Sequence, residues 1–129
     1  MTTTHQEKIF TQHAENTTWL NTIIFYRDDL TILKKRLEEL VSKNNNKDFL
    51  KLVEHFQNQF IIQRNNIDEL IHAIKSNENL LVKEVEQNPV AVDRRKTAYH
   101  EIEKDMVESF EKNFNELRKE FILFFAKWM

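Results

Sequence analysis

His13, Glu78, His100 and Glu101, with Asn16 and Asn77 between them in type, are the side chains best suited to hold a divalent cation or a small polar ligand. Imidazole and carboxylate groups form such sites in helical bundles when they project inward from facing helices. The same positions carry a second reading. Asn on a coiled-coil seam fixes register and pairing at a cost in stability, without binding anything. Glu69-x-x-His72 spells half of a di-iron carboxylate motif, but the chain has no second copy, and both residues project away from the neighbouring apolar ladder. The five histidines are never four residues apart, which disfavours sites built from His at one-turn spacing. His55 and Gln59 lie one turn apart beside a seam, as a recognition pair or a solvated one. No Ser, His and Asp arrangement or Lys-based nucleophile can be assembled. Asn16-Thr17-Thr18 spells a glycosylation sequon, yet Asn16 falls on a predicted buried seam.

What is missing narrows the chemistry further. The 129 residues include no Gly and no Cys, where average usage would supply about nine glycines. Phosphate-cradling loops, dinucleotide-binding turns and EF-hand loops all need Gly for positive φ or close backbone approach, so they are excluded. Disulfides, thiolate nucleophiles and Cys-ligated metals are excluded as well. Net charge is −2, and no third of the chain is basic enough for a nucleic-acid footprint. Lys34-Lys35-Arg36 and Arg94-Arg95-Lys96 are basic runs, but consecutive helical residues point in different directions, and Glu38 and Glu39 stand one turn beyond the first run. The opening residues MTTTHQEK do not form a signal peptide, so the expected location is cytoplasmic. The longest apolar run, Phe121 to Ala126, is far below the roughly 20 residues of a transmembrane helix.

The elements that must position these residues are three long helices. Ile9, Trp19, Ile23, Tyr26, Leu30, Leu33, Leu37 and Leu40 fall on an alternating three-and-four ladder with Gln12 and Asn16 as polar rungs. Thr4 with Glu7 reads as a capping box, so the first helix is predicted over about 5–43. Asn44, Asn45 and Asn46 then break the chain, with Asn able to take the left-handed C-cap role that Gly would otherwise fill and to N-cap the helix that follows. Phe49, Val53, Phe56, Phe60, Gln63, Ile67, Leu70, Ile74, Asn77 and Leu81 make a second ladder, predicting a helix over about 48–87. Asn88-Pro89 supplies an N-cap and a Pro at the first helical position. The third helix, about 90–127, carries Tyr99, Ile102, Met106, Phe110, Phe114, Leu117, Phe121, Phe124 and Trp128. Met106, Leu117 and Trp128 are spaced by eleven, which predicts a seam that drifts from strict heptads.

Near-equal helices with short breaks imply one domain over 1–129: an all-α, elongated, up-down-up antiparallel three-helix bundle with coiled-coil-like packing. The architecture, with Trp19 on the first seam, resembles that of spectrin-type repeats, and the resemblance implies a fold and no function. Antiparallel geometry gathers Phe49, Phe56, Phe60, Phe110, Phe114, Phe121, Phe124 and Phe125 into one half and leaves Gln12, Asn16, Asn77 and the His13 and His100 level at the other.

Apolar residues outside the seams carry the expectation about function. Ile24, Phe25, Ile32, Ile61, Ile62, Ile122, Leu123 and Phe125 exceed what one buried stripe per helix needs. The expected function is a non-enzymatic interaction or scaffold module, without cofactor, that pairs with itself as a homo-oligomeric dimer or with a protein partner through this second stripe and the Phe-rich end. The alternative is metal or small-ligand binding by His13, Glu78, His100 and Glu101. A third reading is peripheral membrane contact through Phe121 to Trp128, which is apolar nearly all round.

Overall fold

The computed structural model describes the backbone of residues 2–87 and 89–129, and the side chains of residues 9–83, 86 and 100–129. Three α-helices follow one another, α1 (Thr2–Val41), α2 (Lys47–Gln87) and α3 (Pro89–Trp128), each packed against both others. At 1.5 Å per residue, 40 or 41 residues give rods about 60 Å long. The chain is the expected all-α, up-down-up bundle.

Helix boundaries differ in detail from the expected ones. α1 starts at Thr2 and stops at Val41; the side chains of Thr4 and Glu7, and all of Asn88, lie outside the described residues. α3 begins at Pro89, the position that a missing N–H favours. The α1–α2 turn is built without a left-handed residue, since no described residue has positive φ. Asn44 instead works through its amide: Nδ2 donates to Leu40 O at 3.1 Å and to Trp128 O at 3.2 Å, tying the end of α1 to the end of α3. Asn46 caps α2, its Oδ1 accepting from Asp48 N at 2.8 Å and Phe49 N at 3.3 Å.

The core is a stack of three-residue layers. Tyr26 meets Phe110 edge-on at 5.4 Å, Phe56 meets Phe121 at 5.3 Å and Phe49 meets Trp128 at 5.1 Å. Carrying that register along the ladders gives Leu40/Val53/Phe124, Leu37/Phe56/Phe121, Leu33/Phe60/Leu117, Leu30/Gln63/Phe114, Tyr26/Ile67/Phe110 and Ile23/Leu70/Val107, every member buried. Phe49, Phe56, Phe60, Phe121 and Phe124 form one ring network at the end bearing the α1–α2 turn, the aromatic half that antiparallel geometry requires.

The seam of α3 corrects the eleven-residue expectation. Ile102 is 55% and Met106 41% exposed, whereas Glu103 and Val107 are buried. The buried set His100, Glu103, Val107, Phe110, Phe114, Leu117, Phe121 and Phe124 alternates strictly by three and four, so the helix keeps heptad packing through its described length. Hydrophobicity alone favoured Ile102 and Met106; the layers Trp19/Ile74 and Ile23/Leu70 on the other helices favour the frame that continues Phe110 by whole heptads. Tyr99 lies outside the described side chains.

Candidate functional site

Beyond Ile23/Leu70/Val107 the same register brings Trp19, Ile74 and Glu103 together, and then Asn16, Asn77 and His100. All three members of this last layer are polar, and all three are buried. Each donates to a carboxylate on the next helix. Asn16 Nδ2 on α1 reaches Glu78 Oε2 on α2 at 2.7 Å. Asn77 Nδ2 on α2 reaches Glu103 Oε2 on α3 at 3.3 Å. His100 Nε2 on α3 reaches Glu15 Oε2 on α1 at 3.2 Å. The bonds therefore run α1 to α2 to α3 and back to α1, closing a ring around the bundle axis. Because an ionised carboxylate only accepts, the ring fixes Nε2 as the protonated nitrogen of His100 in this pairing.

Two further contacts complete the layer. His13 Nδ1 donates to the other oxygen of Glu78 from the outer edge of α1, and the imidazole of His100 stacks on Trp19 at 4.6 Å with planes 28° apart. Asn16 Oδ1 and His100 Nδ1 are buried and have no hydrogen-bond partner among the described residues. Shifting any one helix by a heptad would break two of the three bonds, and each buried group left unpaired costs about 1–3 kcal/mol. The ring thus discriminates among registers that the apolar layers, similar from one to the next, tolerate more evenly.

The proposed metal set does not converge. His13 and Glu78 meet, but His100 turns to Glu15, across a different helix pair, and Glu101 is exposed on the outer surface of α3. Among the described residues no three His, Cys, Asp or Glu side chains are grouped as a metal ion would need. Glu15 and Glu103 were not singled out by the sequence; heptad position puts Glu103 one layer from Asn77, while Glu15 stands beside a seam, recognisable only once α3 is in place. Glu69 and His72 are both exposed. His55 pairs across helices with Glu120 at 3.0 Å and not with Gln59. Within the first basic run Arg36 pairs with Glu39 at 3.2 Å; the second run lies outside the described side chains.

The surplus apolar residues do not form one stripe. Cross-helix contacts show which edges face each other: His13–Glu78 across α1 and α2, Asp29–Arg118 at 3.5 Å across α1 and α3, and His55–Glu120 across α2 and α3. Ile24, three turns on from His13, and Ile61, which lines a groove with Lys34, Val41 and Gln57, belong to the α1–α2 side. Ile62, two turns from His55, and Leu123, one turn from Glu120, belong to the α2–α3 side. Phe25 and Ile32 flank Asp29 by one turn each way, and Ile122 and Phe125 lie one and two turns beyond Arg118, so these four share the α1–α3 side. Phe25, Ile32 and Ile122 are more than half exposed, whereas Ile24 and Phe125 are partly buried, Phe125 against the aromatic core.

The chain matches no protein-family model, no curated protein and no solved structure. Its likeness to spectrin-type repeats rests on helix number and direction and on Trp19. Among the described residues no helix is long and apolar enough to cross a membrane.

Proposed function

We propose that this chain is a non-enzymatic helical interaction module that pairs with a second copy of itself along its α1–α3 side. The observation that supports the reading is the group Phe25, Ile32 and Ile122, which are 60%, 53% and 53% exposed. Their apolar surface is set on rigid helices, where presenting it costs no ordering of the chain on association. Exposed apolar groups of this kind mark interaction surfaces. Phe25 and Ile32 are one heptad apart on the same face. A two-fold axis between them lets Phe25 of each copy pack on Ile32 of the other, the reciprocal arrangement that an isologous dimer requires.

Sedimentation velocity over a wide concentration range tests the proposal. A dimer is expected for the native chain, with Phe25→Ser and Ile32→Ser shifting it to monomer while far-ultraviolet circular dichroism stays unchanged. A native chain that is monomeric at every concentration overturns the reading.

A further inference from the structure

The last three turns of α3 are apolar on both faces. Phe121, Phe124 and Trp128 pack into the aromatic core, and on the opposite surface Ile122, Leu123 and Met129 are 53%, 74% and 79% exposed, with Ala126 exposed between them. Lys119, two turns before Ala126 on the same line, and Lys127, on the α2 side, border this face, and Lys51 on α2 and Lys43 just past the end of α1 belong to the same end of the bundle. None of the four forms an ion pair with a described residue, Lys127 only lying 5.6 Å from the Trp128 ring. Over residues 34–54 and 116–129, Glu39 pairs with Arg36 and Glu120 with His55, which leaves Glu38, Asp48, Glu54 and Glu116 against seven lysines. This end is locally cationic in a chain whose net charge is −2.

We infer that this face rests on an anionic lipid surface, with Leu123, Ile122 and Met129 entering the boundary between headgroups and acyl chains. An apolar helical face bordered by lysines is the arrangement that lies in a membrane interface without crossing it. Lysine stems follow the apolar side chains down while the ammonium groups stay at the level of the lipid phosphates. Nucleic acid fits the lysines but gives no reason for three large apolar side chains at their centre; an acidic protein partner would leave the binding indifferent to lipid. The inference goes beyond self-association, and shares only Ile122 with the side that carries Phe25 and Ile32.

Vesicle flotation of the full chain decides it, using phosphatidylcholine alone and phosphatidylcholine with about a third phosphatidylserine, the anionic leaflet lipid. The chain is expected to float with the anionic vesicles, to remain behind with the neutral ones, and to be released by high salt. Each of Lys119→Gln and Lys127→Gln is expected to weaken partitioning roughly fivefold. Leu123→Asp, at a position too exposed to disturb folding, is expected to abolish flotation with an unchanged melting temperature. Phe25→Ser is expected to float like the native chain, so the lipid and dimer readings fail separately. No flotation with anionic vesicles overturns the inference, as does equal flotation of Leu123→Asp. A Leu123→Asp variant that loses self-association while the native chain ignores vesicles shows that a second copy covers this face instead, and overturns it too.

Discussion

Gln63 shares a layer with Leu30 and Phe114, with apolar layers on either side, and is buried with Oε1 lacking a partner among the described residues. Replacing it with Leu removes an uncompensated acceptor, worth about 1–3 kcal/mol. It also lowers the side-chain entropy lost on folding by about 1 kcal/mol. Against this stands the slightly greater volume of Leu, for which overpacking costs about 1–3 kcal/mol if neighbours cannot adjust. Leu30 and Phe114 meet Gln63 in an all-apolar setting, so small rotamer shifts suffice and the lower figure applies. The net expectation for Gln63→Leu is a gain of about 2 kcal/mol. Unfolding entropy near 2.1 cal/mol/K per residue over 129 residues is about 0.27 kcal/mol/K, so the melting temperature should rise by about 7 °C. Urea unfolding at one fixed protein concentration checks the value, since association adds its own stabilisation. The midpoint should rise with the slope m unchanged. A midpoint that falls at constant m would refute the reasoning, because it would mean that the Gln63 amide is fully satisfied in the folded chain.

Other substitutions test the remaining assignments. Phe121→Ala removes a ring in contact with Phe56, Phe60, Phe124 and Phe125 and should cost about 3–5 kcal/mol in urea unfolding. The frame of α3 is tested by a pair: Met106→Glu should change stability by no more than about 0.5 kcal/mol, whereas Val107→Glu places an unpaired charge in the core and should leave the chain largely unfolded by circular dichroism. A Met106→Glu variant more damaging than Val107→Glu would return the seam to Met106. Asn16→Leu should keep the helical content and broaden the side-chain NMR spectrum of the polar end as register discrimination weakens; a sharp, unchanged spectrum counts against the ring's role. Glu120→Gln, which breaks an exposed pair with His55, should shift stability by less than about 1 kcal/mol in thermal unfolding.

The sequence by itself determined the three helices, the two breaks and the separation of an aromatic half from a polar one. These follow from local periodicity: the ladders of α1 and α2 repeat without interruption, and in an antiparallel bundle their spacing dictates which residues share a level. Asn46 was legible as a cap because capping is a contact between near neighbours. Asn44 was legible only as a break, since half of its work is a bond to Trp128, 84 residues away. In α3 two apolar frames competed, and Glu103 looked like a surface residue until Asn77 supplied its donor. Only the tertiary structure chose between them, because a seam is defined by what the neighbouring helices present to it. The same reason governs the polar layer. His13, Asn16, Asn77, Glu78 and His100 were visible as a group at one height, but whether they converge on a cation or bond in sequence around three helices depends on which edges of α1, α2 and α3 face one another. That choice also distributed the surplus apolar residues over three sides, where the sequence pattern had suggested one.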